Sequence, residues 1–238
     1  MLTQIAADAL EVQPEWVELQ IGDSALPAAT GAGGSMGTAS WGAAIVKAAR
    51  ALRTLLHEHD GVIPAEGLEA RGEAGENPEA ERYAMHAFGA QFAEAHVNLD
   101  TGEVRIPRLL GVFAAGRIMN AKLARSQFLG GMTMGLSMAL HEESVLDERF
   151  GDFANHDFAE YLIATNADVG TVDVAWIDED DPHLNPMGAK GIGEIGIVGT
   201  AAAVANAVYH ATGVRIRDLP ITLDKLLTDP AWSAAHSG

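Results

Sequence analysis

Apolar residues repeat every three or four positions in residues 1–12 and in residues 41–59. This period places the apolar side chains on one face of an α-helix, so both segments are predicted to be amphipathic helices. The predicted faces are Leu2, Ile5, Ala6, Ala9 and Leu10 in the first segment, and Ile45, Ala49, Leu52 and Leu56 in the second. Thr38 or Ser40 is expected to cap the second helix, because a hydroxyl oxygen can accept hydrogen bonds from the free N–H groups of a first turn.

Two further helices are predicted in the second half of the chain. Residues 120–144 form a long helical pattern, which three glycines near its centre weaken. Residues 195–213 are apolar and rich in alanine, but the segment contains Asn206 and His210. We interpret it as a buried helix rather than a membrane span, because polar side chains are costly in the hydrocarbon core of a bilayer.

Alternating apolar and polar residues predict strands at residues 16–24 and 171–178. A β-hairpin is predicted over residues 84–116, with residues 100–102 as its turn. Pro107 lies in the second arm of this hairpin. We expect it at a sheet edge or a bulge, because proline has no N–H to donate to a neighbouring strand.

A charged, glycine-rich segment, residues 67–83, predicts a solvated surface loop that we bound at about residues 63–82, with a domain linker as the alternative. The C-terminal tail, about residues 229–238, is expected to fray. Helices and strands are mixed, and two of the strands form a hairpin. The expected fold class is therefore α+β rather than a doubly wound parallel sheet, with residues 1–238 forming one region.

Composition excludes several function classes. The formal net charge is −18, which argues against nucleic acids and anionic membranes as partners. The sequence has no cysteine, so it forms no disulfide and cannot hold zinc or an iron–sulfur cluster through cysteine. The N-terminus has no basic region of the kind that opens a signal peptide. A cytoplasmic location is expected, with the periplasm as the alternative if a partner subunit carries the chain across the membrane.

The histidines and acidic residues do not predict a metal site. The nine histidines lack ligand-like spacing, and His141 in HEESV is not followed by the second histidine of a zinc-binding helix. The acidic run at residues 178–182 is predicted to be a solvated turn, with metal binding as the alternative.

Residues 185–199 read NPMGAKGIGEIGIVG, and Gly191, Gly193 and Gly196 have the spacing G-x-G-x-x-G. A dinucleotide-binding fingerprint must directly follow a buried strand. The ten residues before Gly191 instead contain two prolines and little strand pattern, which argues against NAD binding. The same glycines enclose Glu194. This residue is either a partly desolvated general base or an acid in a first helical turn, stabilised by the helix dipole.

The segment GAKGIGEIG, residues 188–196, resembles the C-terminal active-site motif of the molybdenum hydroxylases, the xanthine dehydrogenase and aldehyde oxidase family. Residues 88–120, 124–143 and 214–222 resemble the same family, and the likeness runs along nearly the whole chain. It is greatest to bacterial aldehyde-oxidising members that have a separate molybdenum-cofactor subunit. The resemblance implies an α+β molybdenum-cofactor-binding domain.

The resemblance also assigns roles to individual residues. It implies that Glu194 is the active-site base. The residues expected to contact the pterin cofactor are Gly33, Gly34, Ser35, Gln127, Gly191 and Gly193. Lys190 is expected to neutralise a cofactor phosphate or an oxyanion, with an ordinary surface lysine as the alternative.

The implied reaction is the oxidative hydroxylation of an aldehyde or an N-heteroaromatic substrate with water, on molybdenum–molybdopterin in its plain or cytosine dinucleotide form. FAD and 2Fe-2S clusters are implied on partner subunits, where they carry the electrons away.

The chain resembles only the C-terminal part of a family molybdenum subunit, and the glycine-rich cofactor loop expected before residue 2 is missing. We therefore expect a split or truncated gene, or a companion chain that completes the site. A non-catalytic fragment or interaction module that keeps the fold is the alternative.

Overall fold

The computed structural model describes residues 1–236. The helices are α1 (Leu2–Leu10), α2 (Gly37–Glu58), α3 (Ala121–Leu140), α4 (Ile195–Val198), α5 (Thr200–Thr212), α6 (Leu223–Leu227) and α7 (Pro230–His236). The strands are β1 (Phe88–Val97), β2 (Val104–Ala114), β3 (Leu146–Asp147), β4 (Asp152–Phe153) and β5 (Thr171–Trp176). Short 3₁₀ turns lie at Pro14–Trp16 and Gly33–Ser35.

The chain divides into two compact units. The first consists of residues 1–87, 114–124 and 177–193, and the second of residues 88–113, 125–176 and the residues from 194 onwards. The first unit contains α1 and α2, and the second contains most of the main sheet together with α4 and α5.

Helices α1 and α2 pack against each other in the first unit. The core there consists of Ile5, Val46, Met187 and Ala189, against which Leu2, Ala9, Ile45 and Met119 pack. A Cβ on Gly42 would lie 2.7 Å from Met187 Cε, so a larger residue at position 42 would require the Met187 side chain to move. Both predicted amphipathic helices are confirmed.

Helix α2 differs from its prediction at its start and on its buried face. It begins at Gly37 with Met36 as the N-cap and without a side-chain cap, so Thr38 and Ser40 lie inside the helix instead of capping it. The buried residues of the helix are Gly37, Gly42, Ala43, Val46 and Ala49. Most of these residues are glycine or alanine, which allows neighbouring segments to approach α2 closely. The hydrophobic period alone does not reveal this close approach.

The strand predicted at residues 16–24 is wrong. The 3₁₀ turn Pro14–Trp16 leads into irregular chain, where Leu19 and Ile21 of the alternating pattern are exposed, Ile21 by 72%. Alternation gives a strand only where a neighbouring strand pairs with it and a core covers its apolar face. Among residues 1–236, no strand pairs with this segment.

The main sheet of the second unit has the strand order β1-β2-β5. Strands β1 and β2 form the predicted hairpin, and the N–H of Gly102 donates to Asn98 O at 2.8 Å within its turn. Helix α5 packs on β1. The helices, together with a sheet that contains both a hairpin and a parallel pair, confirm the α+β fold class.

Strand β5 confirms the strand predicted at residues 171–178 and lies parallel to β2. The register pairs Arg108 with Thr171 and continues to the end of β5. Pro107 comes just before the first paired residue and lies in the central strand, so the edge position that was one of its two expected places is wrong. Its missing N–H removes no bond to β5, because pairing with β5 starts after it.

Stacked rings and close helix contacts build the core of the second unit. Phe113 of β2 and Phe128 of α3 are fully buried, and their ring centroids lie 4.3 Å apart. The glycines of α3 have a packing role. A Cβ on Gly131 would lie 2.9 Å from Gly196 Cα. A Cβ on Gly135 would lie 2.5 Å from Cβ of Thr200, the first residue of α5. These glycines therefore let α3 approach α4 and α5 closely.

Among residues 1–236, Ile195–Thr212 is the one segment long and apolar enough to cross a membrane, with a mean hydropathy of 1.2. Gly199 separates its two helices, α4 and α5. Only 28% of the segment is buried, because α5 covers β1 with one face and exposes the other. The segment is less buried than the sequence predicts.

Residues 63–82 contain no helix or strand, in agreement with the predicted loop. The loop lies on α2 within the first unit. A Cβ on Gly72 would lie 2.2 Å from Ala44 O, and Lys47 Nζ donates to Ala74 O at 2.6 Å. These contacts tie the loop to the helix, which a freely solvated loop or a linker would not show.

The tail predicted to fray is helical over its described part. Pro230–His236 form α7, and Trp232 is 6% exposed. A buried indole orders a chain end that would otherwise fray. Residues 237–238 lie outside the described residues.

Candidate functional site

Gly33, Gly34 and Ser35 form one 3₁₀ turn just before α2. Gly34 and Ser35 both have a φ of 62°, a left-handed value that glycine adopts freely and serine rarely does. A Cβ on Gly33 or Gly34 would meet no atom within 4 Å, so this side of the turn is open. The turn can therefore present its backbone to a ligand without a side chain in between.

The glycine loop around residues 191–193 lies against Ser35 within the first unit. The N–H of Gly193 donates to Ser35 Oγ at 3.0 Å. A Cβ on Gly193 would lie 2.2 Å from this oxygen, and one on Gly191 would lie 2.9 Å from Ser35 Cβ. The structure thus brings together two of the segments predicted to contact the cofactor, and both glycines are needed for their close approach.

The same contact explains the spacing that resembles a dinucleotide fingerprint. Strand β5 ends at Trp176, and the residues before Gly191 form turns and one bridge between Gly116 and Ala189. In the described chain no strand leads directly into Gly191. The glycines at 191 and 193 make room for Ser35, in agreement with the sequence-based argument against NAD.

Lys190 is not the surface lysine considered from the sequence. Its side chain is 6% exposed, and its Nζ donates to Glu179, with Asp181 Oδ2 4.0 Å away. Glu179 also accepts from the N–H of Gly116 at 2.8 Å. The Lys190 hydrogen bond, and after it the Gly116 N–H, lower the pKa of the Glu179 carboxyl. Protein carboxylates already neutralise the ammonium, which argues against a cofactor phosphate as its partner.

We expect Lys190→Met to destabilise the chain by about 3 kcal/mol at pH 7, because it leaves the partly buried Glu179 without its cation. Folding lowers the pKa of the Glu179 carboxyl. The Lys190–Glu179 ion pair therefore stabilises the fold fully at pH values above the ordinary pKa of a glutamate carboxyl. This contribution is lost as the pH falls through the lowered value. Urea unfolding between pH 7 and pH 3 measures the effect, and the difference from the unchanged chain should shrink with acid. The exposed Arg71→Met is the control, and a loss that did not depend on pH would contradict the ion-pair role.

Glu194 is the N-cap residue of α4 in the second unit. Its backbone oxygen accepts from the N–H of Ile197 at 3.0 Å, whereas its side chain makes no capping hydrogen bond. The residue is exposed, so the expected partial desolvation is not found. Its position is the N-cap directly before the first turn of α4, and the first turn itself contains no acidic residue.

Gln127 lies on α3 next to the buried Phe128 and is itself exposed. Burial of Phe128 fixes the rotation of the helix, and this rotation turns Gln127 away from the core. A glutamine amide can both donate and accept hydrogen bonds, which suits a ligand with mixed polar groups.

Gln91 is a residue of interest that the sequence did not reveal. It lies on β1, and its Nε2 donates to the carbonyl oxygens of Ile195 and Gly196, directly after Glu194, at 3.2 and 3.0 Å. A lone glutamine in a strand has no motif spacing of its own. The only available signal was its place within residues 88–120, which resemble the molybdenum hydroxylases.

Two overlapping segments of the chain, residues 1–74 and 64–170, match the family described as the molybdopterin cofactor-binding domain. The chain belongs to this family. The match covers α1, α2 and the hairpin, and it includes Gly33, Gly34, Ser35 and Gln127.

Relatives of this molybdopterin-binding domain include two bacterial molybdenum subunits. The chain is 42% identical over 251 residues to the aldehyde oxidoreductase molybdenum-binding subunit PaoC of Escherichia coli (strain K12), covering 95% of the chain and 34% of PaoC. It is 38% identical over 140 residues to the xanthine dehydrogenase molybdenum-binding subunit of Escherichia coli O157:H7, covering 59% of the chain and 18% of that subunit. The chain thus spans about a third or less of these relatives, and the molybdenum hydroxylase resemblance is confirmed.

Solved structures share the fold. The chain aligns with a Cu,Mo-CO dehydrogenase at a TM-score of 0.82 and 22% identity, covering 99% of this chain and 34% of that one. It aligns with the aldehyde oxidoreductase from Desulfovibrio desulfuricans ATCC 27774 at a TM-score of 0.82 and 24% identity, covering 98% of this chain and 27% of that one. At these identities the likeness shows the fold alone.

The residues of the glycine turn fit a pterin cofactor. A Cβ on Gly33 or Gly34 would meet no atom within 4 Å, so the backbone of the turn is open to a ligand, and the N–H of Gly193 donates to Ser35 Oγ beside it. Backbone N–H groups in such a turn can approach polar or anionic groups of a ligand closely. Among residues 1–236, no group of three or more His, Cys, Asp or Glu side chains is arranged to hold a metal ion directly.

Proposed function

We propose that this chain is the C-terminal part of the molybdenum-cofactor subunit of an oxidoreductase. The enzyme would hydroxylate an aldehyde, or alternatively an N-heteroaromatic compound, with water. The observation that carries the proposal is the contact between Ser35 and Gly193, because it joins the loop that the family resemblance assigns to the cofactor with the glycine motif that the resemblance assigns to the active site. The 42% identity to an aldehyde oxidoreductase subunit over 95% of the chain favours an aldehyde.

The turn at Gly33, Gly34 and Ser35 would hold the pterin of molybdenum–molybdopterin, in its plain or cytosine dinucleotide form. The open Cβ positions of the two glycines support this role, because the backbone itself can touch the ligand. The amide of Gln127 would add one donor and one acceptor. When bound, the cofactor supplies the two-electron oxidation and the oxygen chemistry of the reaction.

Glu194 is the proposed base. Its carboxylate would accept a proton as the water-derived oxygen attacks the substrate carbon, which general-base catalysis accelerates. The side chain makes no capping hydrogen bond, so an acceptor is available for this task. In the sequence Glu194 directly follows Gly193, whose N–H donates to Ser35 Oγ at 3.0 Å.

In this proposal the chain works together with the rest of the molybdenum subunit and with subunits that carry FAD and 2Fe-2S clusters. The chain's share of PaoC, 34%, supports a requirement for further polypeptide. A second candidate is a non-catalytic fragment or interaction module that keeps the fold.

Metal analysis and an aldehyde assay with an artificial electron acceptor test the proposal, applied to the chain alone and to the assembly with its partner polypeptides. We expect stoichiometric molybdenum and turnover only in the assembly.

In the assembly, Gln127→Ala should lower molybdenum content or rate about tenfold, the usual effect of losing a hydrogen bond to a ligand. Lys122→Ala, an exposed change on the same helix, is the control. An assembly without molybdenum would contradict the proposal, and one with molybdenum but no turnover would support the second candidate.

A further inference from the structure

The side chain of Gln91 directs both ends of its amide at one short segment of the second unit. Its Nε2 donates to Ile195 O and Gly196 O, at 3.2 and 3.0 Å. Its Oε1 accepts from Thr200 Oγ1 at 2.5 Å, and the same hydroxyl lies 2.9 Å from Gly196 O. A glutamine amide has two N–H donors and one acceptor oxygen, and here all three are directed at residues 195–200.

These hydrogen bonds compensate for the shortness of α4. The helix has four residues, and the N–H of Gly199 at its end turns to Ile197 O. In a longer helix the carbonyls of Ile195 and Gly196 would accept from N–H groups four residues later. Gln91 gives both carbonyls a donor from a neighbouring strand, so this segment is held from outside the helix.

Glycines hold the same segment from the side of α3. A Cβ on Gly131 would lie 2.9 Å from Gly196 Cα, and a Cβ on Gly196 would lie 2.8 Å from Phe128 O. On the side of β1, a Cβ on Gly199 would lie 3.2 Å from Gln91 Cδ. The backbone after Glu194 is therefore enclosed between α3 and Gln91, where small shifts meet other atoms.

We propose that Gln91 is the positioning residue for Glu194, an inference that rests on the proposed function. Glu194 is the N-cap residue of α4, so the direction of its side chain follows the backbone that Gln91 holds one and two residues later. A base must stand within hydrogen-bond reach of its proton, and a misplacement of about 1 Å can cost about 100-fold in rate. Gln91 acts on Glu194 only through this backbone.

Two pairs of variants separate hydrogen bonding from packing. Gln91→Glu keeps the shape of the side chain, but an ionised carboxylate cannot donate to the two carbonyls. Gln91→Leu removes all polar contacts. Thr200→Val removes the buried hydroxyl, whereas Thr200→Ser keeps it. Glu94→Gln, an exposed change on the same strand, is the matched control.

Amide hydrogen exchange on the whole 238-residue chain tests the clamp without cofactor or activity. Exchange at residues 195–200 should accelerate about tenfold or more in Gln91→Glu and Gln91→Leu, because a lost hydrogen bond lowers the free energy of local opening. Thr200→Ser and Glu94→Gln should exchange like the unchanged chain. Unchanged exchange in both Gln91 variants would overturn the inference.

Kinetics of the assembled enzyme test the link to the base. Gln91→Leu should lower kcat about 10- to 100-fold, with KM and molybdenum content unchanged. In a Glu194→Gln background the same change should have no further effect, because a positioning residue acts only through the group that it positions. Additive losses would overturn the inference and leave the proposed function standing. A normal rate for Glu194→Gln alone would instead refute the proposed base, and the positioning role with it.

Discussion

Glu194→Gln is expected to lower turnover of the assembled enzyme about 10²- to 10⁴-fold, the range that general-base catalysis contributes. Glutamine has the size and hydrogen-bonding reach of glutamate but cannot accept the proton. The side chain is exposed and makes no capping hydrogen bond in this chain, so the change should leave the fold intact. Molybdenum and pterin should remain bound, because Glu194 does not belong to the glycine turn proposed to hold them.

Steady-state kinetics with an aldehyde and an artificial acceptor, normalised to molybdenum content, measure this effect. Glu58→Gln at the exposed end of α2 is a matched control that should keep the full rate. A Glu194→Gln enzyme with near-normal kcat at full metal content would exclude Glu194 as the base. A loss of molybdenum in step with the rate would instead make Glu194 a cofactor-retention residue.

Helices α1 and α2, the β1–β2 hairpin and strand β5 were predictable because each carries its own local pattern. A helical or alternating period reports which face of an element meets a core, and a short polar turn reports where the chain reverses. Residues 16–24 show the limit of this reasoning. Their alternation is genuine, but Ile21 is 72% exposed because no partner strand pairs with it within the described chain.

The sequence indicated individual residues of the candidate site but not the contacts that these residues make. The resemblance selected Ser35 and Gly193, but only the structure shows the hydrogen bond between them. Lys190 looked available for an anion because its partner, Glu179, comes eleven residues earlier with no motif to link the two. Gln91 was missed for the same reason, since its contacts with Ile195 and Gly196 join a strand to a helix more than a hundred residues later.

Gly193→Ala should disturb the turn that we propose to hold the cofactor, and the effect should be large for a single methyl group. The new Cβ would lie 2.2 Å from Ser35 Oγ and 3.3 Å from Ser35 Cβ, so either the hydroxyl turns away and gives up its hydrogen bond with the Gly193 N–H or the two loops separate. Gly193 does not have a positive φ, so alanine itself fits the backbone and the clash alone produces the effect. We expect a loss of about 1–3 kcal/mol in stability from overpacking, and a loss of about 100-fold in activity from misplaced groups.

Matched variants separate this clash from a general intolerance of larger side chains. Gly31→Ala adds the same methyl group close to the turn, where it meets no atom within 4 Å, and it should leave stability and molybdenum content unchanged. Ser35→Gly removes the clashing hydroxyl and relieves the left-handed φ of 62° at that position, at the cost of one hydrogen bond. Combined with Gly193→Ala, it should therefore recover most of the lost stability, which a double-mutant cycle from urea unfolding measures. The alternative result is a double variant whose loss in the free energy of unfolding equals the sum of the two single losses. This result would show that contact with Ser35 is not the reason that residue 193 must be a glycine.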